Sequence, residues 1–307
     1  MELSLSVAFF FLTFVGLSTA ALWGYEDSGP SKWAETFDTC GLKSQSPINI
    51  ETLNTSLQIS LGNMTMTGYE TPVALTIKNN GHTAQVDVTG NQYISKGGLS
   101  EQYKLAQFHF HWGSDDTKGS EHQISSKTFP MEVHFVHYKN SLGSLGNSVN
   151  EKDGLAVLGF MFEISESDNA NYADLISKLA AIKAYNTSNL VPLTNTSLMN
   201  FIPSNPTNFF RYSGSLTTPT CNEVVVWTVF TETIKISKTQ MATFRTLMSS
   251  EHGPNNKHYH IKDNFRPVQP LNSRTVYSNF YTSSATAAHI TVYTGVLSLI
   301  LSTILSH

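Results

Sequence analysis

The sequence predicts a mainly β (α+β) domain, built on one large sheet with small peripheral helices. Several stretches alternate or are rich in β-branched and aromatic residues, and loops with Gly, Pro and Asn join them. No repeat, charge block or low-complexity linker interrupts residues 22–282. These residues are therefore expected to form a single domain.

The predicted strands share short apolar runs with period-two alternation or β-branched enrichment. They cover residues 73–77, 85–89, 105–112, 132–138, 155–162 and 224–230. Two further stretches have apolar residues at helical spacing, over 172–182 and 241–248. Ser237 and Gln240 offer a capping box at the start of the second helix.

Composition excludes several classes of protein. Of the 307 residues 40% are hydrophobic, which supports a large core and excludes intrinsic disorder. The net charge of −4 gives no support for a nucleic-acid partner. Two cysteines are too few for a disulfide-rich miniprotein or a four-cysteine metal cage.

The N-terminus has the pattern of a secretory signal peptide over residues 1–20. An apolar run over residues 3–17 is followed by Ser18, Thr19 and Ala20, which favours cleavage after Ala20 or Ala21. The run lacks a preceding Lys or Arg, so a buried N-terminal helix is the alternative.

The C-terminus has a different pattern, small residues over 283–288 and then an uncharged, mostly apolar run over 290–306. This arrangement favours a glycosylphosphatidylinositol (GPI) anchor signal over residues 283–307, with Ser283 or Ser284 as attachment point. A transmembrane tail is the alternative. The predicted location is the extracellular face of the plasma membrane, held by a lipid anchor, with secretion as the alternative.

Two other features agree with the secretory pathway. An even pair of cysteines in an oxidising compartment predicts a disulfide between Cys40 and Cys221. Four proline-free sequons are candidate glycosylation sites, at Asn54, Asn63, Asn186 and Asn195.

The candidate chemistry begins in the predicted strand over residues 105–112. Alternation places Gln107, His109 and His111 on one face and aromatic residues on the other. Two residues along a strand span about 6.6–6.8 Å, so both imidazoles can converge on one point above that face. A lone His-x-His pattern is weak by itself: His258 and His260 repeat it in a polar stretch and are predicted to be surface residues.

A second predicted strand can complete the site. Glu132, His134 and Val136 share a face, and antiparallel pairing with the first strand would bring His134 to the other two histidines. Three neutral imidazoles with an open fourth position are typical of catalytic zinc. Gln107 can accept a hydrogen bond from His109, and Glu132 can orient a neighbouring ligand.

These residues resemble those of the alpha-class carbonic anhydrases, over about residues 22–275. The resemblance implies a twisted, mainly antiparallel sheet of about ten strands with small helices around it. The motifs that match occur in the family's order and cover residues 23–25, 45–50, 80–82, 107–113, 119–122, 132–137, 155–159, 214–219 and 264–267.

The resemblance implies a role for each candidate residue. His109, His111 and His134 match the zinc ligands, with Gln107 and Glu132 as their hydrogen-bond partners. His82 matches the proton-shuttle histidine, Thr217 the hydroxyl that orients zinc-bound hydroxide, and Glu121 the carboxylate that accepts that hydroxyl's proton. The residues that match the substrate pocket are Val136, Val157, Leu216, Thr217, Thr218, Val225 and Trp227.

The implied activity is the reversible hydration of carbon dioxide to bicarbonate and a proton, by attack of zinc-bound hydroxide. The Cys40–Cys221 pair matches the disulfide of the family's extracellular members. Gln85 departs from the asparagine that many members carry. The alternative is a non-catalytic binding or matrix protein on the same fold.

Overall fold

The computed structural model describes residues 23–186, 188–194, 196–252 and 258–282. The predicted signal peptide, the predicted anchor signal and the sequon residue Asn195 lie outside these ranges. Within the described ranges, no helix has both the length and the hydrophobicity that a membrane span requires.

The described residues form strands far more than helices. The strands are β1 Asn49–Ile50, β2 Ser56–Leu57, β3 Met64–Thr67, β4 Pro72–Asn79, β5 Ala84–Thr89, β6 Tyr93–Lys96, β7 Tyr103–Trp112, β8 Gln123–Ile124, β9 Met131–Lys139, β10 Leu155–Ser165, β11 Val191–Pro192, β12 Thr196–Ser197, β13 Phe209–Gly214, β14 Val225–Phe230, β15 Ile234–Ser237, β16 Met248–His252, β17 His258–His260 and β18 Tyr277–Ser278. The α-helices are α1 Trp33–Thr36, α2 Leu145–Ser148, α3 Ala173–Leu179 and α4 Lys238–Phe244. The 3₁₀ turns are Pro30–Lys32, Asp38–Gly41, Thr52–Asn54, Ile59–Leu61, Asn140–Leu142, Ala170–Tyr172, Ala180–Ile182 and Leu198–Phe201.

One sheet of 14 strands dominates the fold. Its main path runs β11-β4-β5-β7-β9-β10-β14-β13-β18-β2. Most pairs are antiparallel, while β10 pairs in parallel with both β14 and β15. The predicted mainly β fold is confirmed, and each of the six predicted strands lies within or overlaps a strand of this sheet.

The two faces of the central strands have different neighbours. Phe108, Phe110 and Trp112 point from β7 into the large core, which also receives apolar residues of α3 and α4. A smaller apolar cluster covers part of the opposite face and includes Val136 and Trp227. His109 and His111 of β7 and His134 of β9 lie on that opposite face, beside the smaller cluster, whereas His137 of β9 points into the large core and bonds the Tyr69 hydroxyl.

Both predicted helices exist, but the second ends earlier than its apolar stripe indicates. The capping box of Ser237 and Gln240 is present at the start of α4. The helix ends at Phe244, and Met248 instead begins β16. The backbone N–H of Met248 donates to the carbonyl of Lys183 at 2.8 Å, so a tertiary contact overrides the helical pattern there.

The predicted disulfide is present, and it joins Cys40 to Cys221 across 181 positions of the chain. Trp33 packs beside it in a small cluster of its own. Asn54, Asn63 and Asn186 are exposed, as glycan attachment requires, and their glycosylation stays a prediction.

Candidate metal centre

The pairing of β7 with β9 brings the three predicted ligands together. In this antiparallel pair His109 lies opposite His134, and His111 lies opposite Glu132. The predicted pairing is therefore confirmed. On the next strand, Gly159 lies opposite His134, where a Cβ would approach a carboxylate oxygen of Glu132 to 3.0 Å. A glycine at this position leaves room for that carboxylate beneath the histidines.

Hydrogen bonds to oxygen fix which nitrogen of each imidazole carries the proton. His109 donates from Nδ1 to Oε1 of Gln107 at 2.9 Å, and His134 donates from Nε2 to Oε1 of Glu132 at 2.7 Å. His111 donates from Nδ1 to the backbone carbonyl of Asn264 at 2.7 Å. The nitrogens left with free lone pairs are Nε2 of His109, Nε2 of His111 and Nδ1 of His134.

Burial keeps these imidazoles neutral at physiological pH. It lowers the pKa of His111 to about 4 and lowers the pKa values of His109 and His134 as well. A neutral imidazole offers its lone pair to a metal without first losing a proton. The three histidines therefore have the protonation state that a zinc ligand needs.

Two buried acceptor atoms at this point indicate a cation site. The three histidines each offer one ligand atom, and these atoms lie within 4.8 Å of one another. Nε2 of His111 and Oε2 of Glu121 are buried, have no hydrogen-bond partner and lie 3.5 Å apart. Oε2 of Glu121 also lies 3.8 Å from Nδ1 of His134. A buried imidazole nitrogen without a partner, beside two further imidazoles and close to a carboxylate, fits a bound cation, and the nitrogen donor set suits zinc.

A second group, His122 with Glu132 and His134, has the same spacing but is a hydrogen-bonded network. His122 bonds Oε1 of Glu132 through Nδ1 and the Tyr212 hydroxyl through Nε2. Oε2 of Glu132 accepts the backbone N–H groups of Glu121 and His122. Burial acts to raise the pKa of Glu132, yet the attraction and hydrogen bonds of His122 and His134 hold it well below its usual value. The carboxylate is thus ionised and holds His134 in place.

Glu121 lies beneath the site and is completely buried. Its Oε1 accepts the backbone N–H of Arg266 at 2.8 Å. Burial raises the pKa of Glu121 to about 7, against the opposing effects of His134, the Arg266 N–H and the Thr217 hydroxyl. Thr217 is buried, and its hydroxyl acts to lower the pKa of Glu121; the pairing of the two residues stays a prediction.

The predicted apolar pocket residues lie together beside the histidines. Val136, Val157 and Trp227 are paired in a row across β9, β10 and β14, on the face that carries His134. The Trp227 ring lies 4.8 Å from the His134 ring, centroid to centroid. Val225 is buried in the same cluster, and Leu216 packs against it.

A cavity of about 140 Å³ opens beside the histidines, and its lining includes Thr218, His109, His111 and His82. The His82 ring stacks on Trp23 with centroids 3.9 Å apart. Burial lowers the pKa of His82 to about 4, below the near-neutral value of an ordinary histidine. The packing on Trp23 accounts for the difference, since desolvation disfavours the charged ring.

The roles of two further residues were not predicted from the sequence. Asn264 accepts from His111, and its side chain bonds the backbone N–H of Trp112 and the carbonyl of His82. Trp23 supports the ring of His82. Both residues lie within motifs that match the family, at residues 23–25 and 264–267. Those motifs are the sequence signal that could have identified their roles.

Gln85, the departure from the family pattern, lies in the lining of the same cavity. Its side-chain oxygen accepts a hydrogen bond from the amide of Asn80 at 3.1 Å. Its own amide donates to a carboxylate oxygen of Asp87 at 2.6 Å. The longer side chain is therefore held at the cavity wall and leaves the three histidines undisturbed.

Comparison with known proteins agrees with this site. Residues 28–280 match the family of eukaryotic-type carbonic anhydrases. The chain is 38% identical to Carbonic anhydrase 4 of Rattus norvegicus over 252 residues, which are 81% of this chain and 79% of that protein. It is 35% identical to Carbonic anhydrase 6 of Mus musculus over 276 residues, which are 88% of this chain and 84% of that protein. The Cys40–Cys221 disulfide is in keeping with passage through the secretory pathway.

Proposed function

The chain belongs to the alpha, or eukaryotic-type, carbonic anhydrases, zinc enzymes that hydrate carbon dioxide, and we propose that His109, His111 and His134 hold its zinc. The observation that carries this assignment is the convergence of three neutral imidazoles, each with its other nitrogen bonded to an oxygen. Zinc bound there would lower the pKa of its water ligand to about 7, the value established for carbonic anhydrases, and so make a nucleophile available at neutral pH. Zinc content and carbon dioxide hydration, measured on the purified protein, test this function.

We propose that Thr217 and Glu121 orient the reacting oxygen. The Arg266 N–H occupies Oε1 of Glu121, which leaves Oε2 as the acceptor for the Thr217 hydroxyl. A hydroxyl has a single proton, so once it donates a hydrogen bond to a carboxylate it can only accept a hydrogen bond from a second group. Thr217 would therefore hold an O–H group of the nucleophile in one direction and leave a lone pair directed at carbon dioxide.

The apolar surface beside the histidines suits an uncharged substrate. Val136 and Val157 carry no hydrogen-bond donor, and the indole N–H of Trp227 already donates to the Ser215 carbonyl at 3.0 Å. Leu216 and Val225 complete this apolar surface. Thr218, which lies in the lining of the cavity, is the polar neighbour proposed to contact bicarbonate before it leaves.

We propose His82 as the group that carries the proton away from the zinc site. A proton donor of pKa about 7 releases protons directly to water at only about 10³ s⁻¹, if recapture is diffusion-limited at about 10¹⁰ M⁻¹s⁻¹. Turnover of about 10⁶ s⁻¹, the value established for carbonic anhydrases, requires a relay. His82 lies in the lining of the cavity that contains His109 and His111, which supports this role.

Replacement of His82 by Ala is expected to lower kcat in dilute buffer by at least about tenfold, because the relay is then missing. kcat/KM, which reports carbon dioxide hydration before proton release, is expected to change little. Stopped-flow hydration with increasing imidazole measures both constants, and imidazole should restore part of the lost kcat. An unchanged kcat would remove His82 from the mechanism.

We propose further that residues 22–282 are the catalytic domain and that a GPI anchor holds it at the outer face of the plasma membrane. The small residues and apolar tail over 283–307 support this location. Treatment of intact expressing cells with phosphatidylinositol-specific phospholipase C is expected to release active enzyme into the medium. Enzyme that is already in the medium before treatment would indicate secretion, and enzyme that resists release would indicate a transmembrane tail.

A further inference from the structure

His82 lines two cavities. The first is the cavity that contains His109 and His111. The second has a volume of about 10 Å³ and is also lined by His82, together with Glu251 and His260. A volume of this size is close to the minimum that one water molecule needs. His82 therefore contributes to the lining of both cavities.

One nitrogen of the His82 ring is free to exchange a proton within the protein. Nδ1 is buried and has no hydrogen-bond partner. Stacking on Trp23 fixes the plane of the ring, and Asn264 holds the backbone through the His82 carbonyl at 2.9 Å. An imidazole that passes a proton accepts it at one nitrogen and releases it from the other. The ring can therefore exchange a proton at Nδ1 while it stays stacked on Trp23.

The second cavity carries groups that exchange protons with solvent. Glu251 is half-buried, and its Oε1 accepts the backbone N–H of Tyr25 at 2.8 Å, which holds the carboxylate at the cavity. Glu26 and His260 are exposed and so reach bulk water. Burial raises the pKa of Glu26, and the positive charge of Lys262 opposes that shift. Tyr25 and Lys262 also line this cavity, so acidic and basic groups both surround the point where a proton would leave.

We propose that His82 passes protons from the zinc-site cavity into this second cavity, and that Glu251 and His260 deliver them to solvent. The inference rests on the proposed shuttle role of His82 and adds the exit. The net transfer is one proton from the zinc site to bulk buffer, and each group on the path regains its starting protonation state. The exit lies at the antiparallel pair of β16 and β17, which carries both Glu251 and His260.

A double replacement, Glu251→Gln with His260→Gln, tests the exit in the zinc-loaded full-length enzyme. The Gln carbonyl retains the acceptor for the Tyr25 N–H, so the fold around the cavity is kept. The matched control is Glu35→Gln with His258→Gln, which replaces the same residue types at exposed positions outside the cavity lining. Zinc content and thermal unfolding are measured for both variants before kinetics.

In dilute buffer the test variant is expected to lose about fivefold or more in kcat with kcat/KM unchanged, while the control keeps both. Imidazole should rescue the loss. A test variant as fast as the control, alongside a slow His82→Ala variant, would overturn the exit and leave the shuttle in place. If His82→Ala is itself fast, the shuttle and the exit both fail. An equal loss in kcat and kcat/KM would indicate a disturbed zinc site and would also overturn the proposal.

Discussion

Replacement of His111 by Ala is expected to abolish zinc binding at stoichiometric levels and to lower carbon dioxide hydration by at least about 10⁴-fold, because the metal's effect on the pKa of water is lost with it. His111 is the best ligand to remove, since its Nε2 has no hydrogen-bond partner. In this variant, water can enter the space of the missing ring and donate a hydrogen bond to the Asn264 carbonyl, which His111 otherwise bonds. Zinc per chain by elemental analysis and stopped-flow hydration measure the two losses.

The control for this variant is His258→Ala, which removes an exposed histidine of β17 far from the triad in sequence. It should retain one zinc per chain and full activity. Circular dichroism distinguishes loss of metal from loss of fold. A folded His111→Ala protein that still binds one zinc and hydrates carbon dioxide at the original rate would contradict the assignment of the triad.

Replacement of Thr217 by Val is expected to lower kcat/KM by about 10²–10³-fold, the usual effect of removing one positioned hydrogen-bonding group at a reacting centre. Valine has nearly the shape of threonine but neither donates to Glu121 nor accepts from the nucleophile. Zinc content should stay at one per chain, because Thr217 is not a ligand. Thr217→Ser restores the hydroxyl and should recover most of the activity.

The partner of Thr217 can be tested by the same assay. Glu121→Gln retains an acceptor for the Arg266 N–H but removes the carboxylate, so it should cause a similar loss. The double variant should be little worse than either single variant, since the two residues act as one unit. Additive losses, or a Thr217→Val enzyme of undiminished activity, would show that the pair does not orient the reaction.

The zinc triad could be predicted from the sequence because strand geometry is local. Period-two alternation places His109 and His111 on one face whatever the rest of the chain does. The third ligand required one assumption, antiparallel pairing with the strand of His134, and the structure confirms it. The roles of Gln107 and Glu132 could be predicted for the same reason, since each lies two residues from the histidine that it bonds.

Other features depend on contacts between distant parts of the chain, and alternation carries no information about them. The carbonyl that orients His111 belongs to Asn264, 153 positions away. The low pKa of His82 arises from burial against Trp23, and neither the residue type nor its neighbours in the sequence indicate that burial. Met248 continues an apolar helical stripe, yet its backbone is bound in a strand. In each case tertiary packing determines the outcome.

The central claim is that the His109–His111–His134 site holds zinc and hydrates carbon dioxide. Zinc content together with stopped-flow hydration, on the purified full-length enzyme, tests it most directly. The account predicts one zinc per chain and turnover well above the limit of about 10³ s⁻¹ for direct proton release. A folded protein without zinc, or with zinc but without hydration above background, would contradict the account and support a non-catalytic binding protein on this fold.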